Sequence, residues 1–251
     1  MVLTRAVELT LNTVLTAMRN AGCGDPPQIF AGGLRYIPPS AANQVNREAL
    51  EELGQFGFAR GDRLTGEFED ILHTIDRPES EYFAVARDMD EQIGILVAVA
   101  GGVTVTALCS GERVWLKEVT DRQQPPEVLV ANLPEYAPAR FPAFSLPQDE
   151  FRADGGDGRY ERSEDRTRTA RMLDDVFNQP YYGLGQFTVA KRTRGGQREV
   201  ARDQLSYIDI DSGRVVMELS GAPGNRYITV LPGEPGLLAQ KIASLRASLD
   251  D

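Results

Sequence analysis

The sequence has few of the residues that most catalytic and metal sites use. Its 251 residues include two cysteines, Cys23 and Cys109, and one histidine, His73. Two cysteines are too few for a disulfide scaffold, and we interpret both as idle or buried thiols. A lone histidine with no second imidazole and no cysteine cluster near it is a weak candidate for a metal ligand or a catalytic base. The pattern Gly-x-Ser-x-Gly is also absent, so the sequence indicates no nucleophile elbow.

Basic residues are scarce as well. The chain has 27 Lys and Arg against 37 Asp and Glu, which gives a formal net charge of −10. A surface of this charge repels phosphate backbones, which argues against a nucleic-acid partner and against an anionic membrane. The longest apolar run, Ile93 to Val105, is interrupted by glycines and threonine and is too short to cross a bilayer. With no signal-peptide pattern in Met1 to Glu8, the sequence predicts a soluble, cytoplasmic protein.

Two short motifs resemble ligand-binding loops without completing them. Asp209-Ile-Asp-Ser-Gly213 begins like a calcium loop, but the closing glutamate is missing because position 220 is serine. Gly183-Leu-Gly185 begins like a dinucleotide fingerprint, but it precedes a strand and lacks the third glycine. We therefore interpret the first as a hairpin turn and the second as a helix-to-strand connection. The sequence predicts no cofactor, no metal site and no catalytic residue.

Helical and extended patterns follow one another in the same order twice. Apolar spacing predicts helices that begin near residues 10, 40 and 64, then four extended runs between Tyr82 and Val119, then a short helix at 127–133. Ile93–Ala100 is nearly all apolar, which predicts a central strand buried on both faces. The second half repeats this order with a helix near 169–177 and four runs between Phe187 and Leu231. A last helix has its apolar face formed by Leu238, Ile242, Leu245 and Leu249.

The two halves also match segment by segment. Phe83–Arg87 agrees with Phe187–Lys191 at three of five positions, and a basic residue closes both runs. Three other pairs of segments, among them Gly102–Gly111 and Gly213–Gly221, match in the same order, which indicates an internal duplication. The sequence thus predicts a single domain, 1–251, made of two pseudo-repeats at about 40–133 and 160–250. A Pro- and Gly-rich linker, 134–160, joins them, and we expect disorder around 154–163.

Taken together, these segments resemble the EspG proteins of actinobacterial type VII (ESX) secretion. The resemblance rests on Arg77-Pro78-x-x-x-Tyr82, on Ile93–Ala100 with its two following glycines, on Ser206–Arg214 and on the leucine-rich C-terminal helix. It covers about Leu9 to Leu249. It implies an α+β fold, in which a quasi-two-fold, duplicated molecule has a central, mostly antiparallel β-sheet flanked by N- and C-terminal helical bundles.

The resemblance also implies a function without catalysis. EspG proteins are cytosolic chaperones that bind the apolar tip of the PPE protein in a PE–PPE heterodimer and keep it soluble for export. An exposed apolar tip promotes association, and an acidic cap raises solubility. Carried onto this chain, the partner-binding candidates lie in the loop between the first meander strands, on outward sheet positions and on the bundle helix. They are Asp88, Met89, Asp90, Glu91, Tyr207, Asp209, Val216, Glu218, Arg166, Thr167 and Ala170.

Two other classes of function stay open on the residues alone. A non-catalytic cytosolic scaffold would form a homodimer through a sheet edge and would bind no cargo. A ligand-binding protein or hydrolase with an unfamiliar site would require a deep polar pocket that holds Asp209, Asp211 or His73.

Overall fold

One antiparallel sheet connects the two halves of the chain. The computed structural model describes residues 3, 5–33, 36–119, 123–151 and 167–250. Within these residues no helix is both long and apolar enough to cross a membrane. The elements in chain order are β1 (Val7–Thr10), α1 (Leu11–Asn20), α2 (Pro39–Gln55), β2 (Ala59–Arg60), β3 (Arg63–Leu64), α3 (Gly66–Asp76), β4 (Ser80–Asp88), β5 (Gln92–Ala100), β6 (Val103–Ser110), β7 (Arg113–Glu118), α4 (Pro125–Ala131), β8 (Phe144–Pro147), α5 (Arg168–Phe177), β9 (Tyr181–Arg192), β10 (Arg198–Val200), β11 (Gln204–Ile210), β12 (Gly213–Ala222), β13 (Asn225–Pro232) and α6 (Pro235–Ala247), with 3₁₀ turns at Gln28–Phe30 and Gln148–Phe151.

The main sheet has eleven strands in the order β1-β7-β6-β5-β4-β9-β11-β12-β13-β8, and β10 pairs with β9 beside this path. Two meanders, β4 to β7 and β9 to β13, meet where β4 pairs with β9 in antiparallel register. Because each meander runs outward from this junction, the strand order is approximately two-fold about it. The predicted α+β fold with a central antiparallel sheet is confirmed.

Helices cover the sheet in three places. We call the face that carries Phe83 and Leu96 the front face, and the face that carries Ala84 and Ile95 the back face. On the front face, α1, α2 and α3 bury one apolar cluster against the first meander, and α5 buries another against the second. On the back face, α4 and α6 bury a third cluster at the centre of the sheet. Side chains of β5 enter clusters on both faces, as predicted for this strand.

The residue-by-residue match between the halves is wrong in one respect. Phe187 lies opposite Ala84 in the β4/β9 ladder, and opposing residues of an antiparallel pair share a face. Phe83 therefore belongs to the front cluster and Phe187 to the back cluster. A two-fold axis perpendicular to the sheet relates front-face residues only to other front-face residues. These two phenylalanines lie on opposite faces and are therefore not equivalent. The division into pseudo-repeats at about 40–133 and 160–250 stays a prediction.

Part of the predicted linker is built into the sheet. Strand β8 pairs with β13 at one sheet edge, where a proline removes no ladder hydrogen bond that the sheet needs. The N–H of Ala139 donates to the carbonyl of Arg214 at 3.0 Å, and the hydroxyl of Tyr136 donates to the carbonyl of Ile210 at 3.0 Å. Residues 144–151 of the predicted linker thus form a strand and a 3₁₀ turn. The segment expected to be disordered, 154–163, lies outside the described residues.

Candidate partner-binding surface

The front face of the sheet is open along the junction of the two meanders. Leu184 of β9 is 42% exposed there, and Arg87 and Gln186 are exposed as well. In the ladders, Leu184 lies opposite Arg87 and Ile208, and Gln186 lies opposite Val85 and Ser206. All of these side chains therefore share one face, between the clusters under α1–α3 and under α5. We call the open strip the set of Val85, Arg87, Leu184, Gln186, Ser206 and Ile208.

A folded acidic loop lies at one end of the open strip. The side chain of Asp88 accepts hydrogen bonds from the backbone N–H groups of Asp90 at 2.9 Å and Glu91 at 2.8 Å. These hydrogen bonds lower the pKa of Asp88. Ser110 donates a hydrogen bond to Glu91, which ties the loop to β6. The turn leaves Met89 72% exposed, and a methionine at such a position makes adaptable apolar contacts.

Two tyrosines extend the apolar surface at the same end of the β4/β9 ladder. Tyr181 is 64% exposed and Tyr182 is 41% exposed. The hydroxyl of Tyr182 donates to Asp211 at 2.6 Å, and this hydrogen bond raises the pKa of Tyr182. Together with Met89 and Leu184, they are four of the nine large apolar side chains that are exposed among the described residues. Exposed apolar surface is thus concentrated at this end of the sheet.

The sheet positions predicted to face outward lie on the covered face. Tyr207 is 1% exposed, Asp209 4% and Val216 1%, so the prediction that they face solvent is wrong. Glu218 is partly buried, and its carboxylate forms an ion pair with Lys241 of α6, whose Nζ lies 2.6 Å from Oε2. The reason is a choice of face, because adjacent residues of a strand point to opposite sides and α4 and α6 cover the side that Tyr207 occupies.

Asp209 forms a buried ion pair with Arg214. Arg214 donates from Nε to Oδ1 of Asp209 at 2.7 Å and from Nη2 to Oδ2 at 2.8 Å. The same Nη2 donates to the carbonyl of Pro134 at 2.8 Å, and the guanidinium lies 4.2 Å from the ring centroid of Tyr207. Burial raises the pKa of Tyr207 to about 12. Since Ile210 pairs with Gly213, the segment that resembles a calcium loop is the predicted hairpin turn between β11 and β12.

The glycines that resemble a dinucleotide fingerprint make room for this pair. They lie inside β9 and not in a connection before it. A Cβ atom on Gly185 would lie 2.1 Å from Cε1 of Tyr207, and one on Gly183 would lie 3.0 Å from Oδ2 of Asp209. Both glycines face the back of the sheet, so Leu184 between them points to the front. The sequence signal for the open strip is therefore the glycine on either side of an exposed leucine.

The predicted positions on the bundle helix differ from one another. Thr167 is exposed and caps α5, because its hydroxyl accepts the N–H of Ala170 at 3.2 Å and donates to Glu150 at 2.6 Å. Ala170 is 2% exposed, so its side chain offers no surface to a partner. Because α5 packs this residue onto the second meander, its burial argues against the prediction that it contacts a partner. Arg166 lies outside the described residues.

The back face carries a cavity of 710 Å³ between α4 and α6. Its lining is mainly apolar and includes Val130, Leu133 and Leu238, and Arg214 also lines it. The described residues that line this cavity do not include Asp209, Asp211 or His73. The polar pocket that a hydrolase would require at these residues is therefore not this cavity.

The surroundings of His73 differ from what the sequence predicts. Sγ of Cys23 lies 3.8 Å from Nδ1 of His73, although 50 residues separate them in the chain. Burial, followed by the charge of Asp76, raises the pKa of Cys23 to about 11. Cys109 is a buried strand thiol, as expected, and both cysteines are free.

Comparison with known proteins places this fold in context. A model of the EspG family matches residues 10–244. The solved structure of the Mycobacterium tuberculosis type VII secretion system chaperone EspG5, in complex with a PE25–PPE41 dimer, matches with a TM-score of 0.70 over 96% of this chain and 95% of that chain. The sequence identity is 12%, so this structural match shows similarity of fold alone. No curated protein matches the sequence.

Proposed function

The chain belongs to the EspG family, and from this premise we propose that it is a type VII secretion chaperone that binds a PE–PPE heterodimer. It contacts the PPE subunit at its apolar tip and keeps that tip soluble until export. The step takes place in the cytoplasm, before the cargo reaches the secretion machinery, and it requires no reaction.

The observation that carries this proposal is the exposed apolar surface at the open strip and at the end of the sheet beside it. Leu184, Met89 and the two tyrosines offer apolar contact area in one region, while Arg87 and Gln186 offer hydrogen-bonding groups beside it. An apolar centre with a polar border is the usual composition of a protein interface. Large side chains in such a centre account for most of the binding energy. This composition suits a partner that presents an apolar tip.

The support under the strip favours a preorganised surface. Phe187 and Tyr207 pack behind β9, with ring centroids 5.9 Å apart, and the Asp209–Arg214 pair anchors the end of β11. The hydrogen bonds to Asp88 hold the loop that presents Met89. A surface fixed before binding loses less conformational entropy when the partner arrives.

The edge strands of the described sheet are too short to favour the alternative, a homodimer that pairs through a sheet edge. The edge strands β1 and β8 have four residues each. Short edge strands are one way in which proteins prevent edge-to-edge pairing.

Co-expression tests the proposed function. The chain is produced together with PE–PPE pairs encoded in the same genome, and the purified material is analysed by size-exclusion chromatography with light scattering. We expect a soluble complex of one chaperone, one PE and one PPE protein with at least one such pair. If every pair elutes apart from the chain, or if the chain forms a dimer that excludes the cargo, the proposal is wrong.

A further inference from the structure

Three side chains with metal-binding atoms meet between the first and third helices. Cys23 comes from the turn after α1, and His73 and Asp76 come from the last turn of α3. One donor atom from each lies within 4.8 Å of the other two. Cys23 and Asp76 are half-buried, and His73 is exposed. This cluster lies outside the open strip and has no role in the function proposed above.

Local structure fixes all three positions. His73 and Asp76 are three residues apart on a helix, so they share one face. Gly22, with φ at +70°, reverses the chain after α1, and the N–H of Cys23 donates to the carbonyl of Met18 at 2.9 Å. The N–H of Gly24 then donates to Oδ1 of Asp76 at 3.1 Å, which joins the turn to α3. The cluster is thus held together by backbone contacts as well as by its side chains.

We propose that Cys23, His73 and Asp76 bind one divalent zinc-class metal ion. Sulfur of cysteine, nitrogen of histidine and oxygen of aspartate are the donors that zinc takes in proteins. In a tetrahedral site with ordinary zinc–sulfur and zinc–nitrogen bonds, the sulfur and the nitrogen lie roughly 3.5 Å apart. The observed 3.8 Å between Sγ and Nδ1 is close to that separation. Three protein donors leave the fourth position to water.

The electrostatics of the helix end favour a cation. His73 and Asp76 stand in the last turn of α3, where the helix macrodipole places partial negative charge. Arg77 donates to Oδ2 of Asp76 at 3.1 Å, which orients the carboxylate. Oδ1 accepts one hydrogen bond from Gly24, and its second lone pair faces the ion. When the ion binds, the thiol of Cys23 releases its proton to solvent and the sulfur forms the metal bond. The ion links α1 to α3 and stabilises the N-terminal helical layer.

Zinc titration of the reduced, chelator-washed protein tests the proposal. The probes are Zn²⁺, followed by calorimetry, and Co²⁺, whose thiolate bond gives a charge-transfer absorption band. We expect one equivalent of Zn²⁺ per chain, a thermal midpoint that rises with zinc, and a Co²⁺ band. Cys23→Ser, His73→Gln and Asp76→Asn should each weaken binding at least tenfold, and Cys23→Ser should abolish the Co²⁺ band.

Cys109→Ser is the matched control, because Cys109 is a thiol of the same front cluster without an imidazole beside it. It should bind zinc as the unaltered chain does. Circular dichroism confirms that each variant is folded, and the exposed His73 makes His73→Gln the variant least able to disturb the fold. The proposal is overturned if the unaltered chain takes up no stoichiometric zinc, or if Cys23→Ser and His73→Gln bind it as tightly as Cys109→Ser.

Discussion

Replacement of Asp209 by asparagine tests the buried ion pair behind the open strip. The change removes a negative charge from a side chain that is 4% exposed and leaves the charge of Arg214, which is 5% exposed, without its counter-ion. Breaking a buried pair in this way destabilises a protein by about 3–5 kcal/mol. The free energy of unfolding of a domain is about 5–15 kcal/mol, so this loss is a large share of it. For a chain of this length we expect the thermal midpoint to fall by roughly 6–20 °C.

Urea unfolding and calorimetry measure the effect. Asp211→Asn is the matched control, because Asp211 is an exposed carboxylate of the same hairpin, and it should change the free energy of unfolding by less than about 1 kcal/mol. In the Asp209→Asn background, Arg214→Met should restore part of the loss, since it removes the unpaired charge. The reasoning is refuted if Asp209→Asn and Asp211→Asn are equally stable.

Three further changes probe the strands and the loop. Gly185→Ala should lower the free energy of unfolding in urea by about 1–3 kcal/mol, because its Cβ would lie 2.1 Å from the Tyr207 ring. Gly66→Ala is the control, because a Cβ there would have nothing within 4 Å, and it should be neutral or stabilising. Equal effects of the two substitutions would contradict the prediction. Burial raises the pKa of Tyr207 from 10.0 to about 12, so its contribution to stability is intact below pH 10 and is lost as the pH rises towards 12. Tyr207→Phe should reduce that loss when urea midpoints are measured against pH. An unchanged pH profile would contradict this prediction. Asp88→Ala should speed hydrogen exchange at the two amides that bond to Asp88 and leave the urea midpoint unchanged, whereas unchanged exchange would show that the loop holds without it.

Most elements could be predicted because their signals are local. Helices α2 and α3 show apolar residues at helical spacing, and the strands between Gln92 and Glu118 are bounded by glycines and charged residues. Strand β8 was missed because its four residues lie among prolines and gain order from pairing with β13.

The orientation of β11 could not be predicted because polarity there does not follow the faces. Asp209 is charged and faces the core, since Arg214 pairs with it. Ile208 is apolar and lies on the open front face beside Leu184. A buried charged residue next to an apolar residue that is only partly buried departs from the usual alternation of apolar-in and polar-out. Only the register with β9 and the helices on the back face determine which side is covered.

The proximity of Cys23 to His73 was hidden for a different reason. The two residues lie 50 positions apart, and their contact depends on how the turn after α1 meets the end of α3. Spacing along the chain carries no information about such a contact, whereas a pattern within one helix does.

The most direct test of the central claim is the affinity of a purified PE–PPE heterodimer for three forms of the chain, measured by calorimetry. Leu184→Asp changes the middle of the open strip, where the side chain is 42% exposed. Val103→Asp is the matched control, since Val103 is 38% exposed on β6, at the opposite end of β5 from the Asp88–Glu91 loop. Burying a leucine side chain is worth roughly 1.5–3 kcal/mol, and a desolvated carboxylate opposes binding further. The account predicts at least tenfold weaker binding for Leu184→Asp and less than a twofold change for Val103→Asp; equal affinity of the two variants would contradict it.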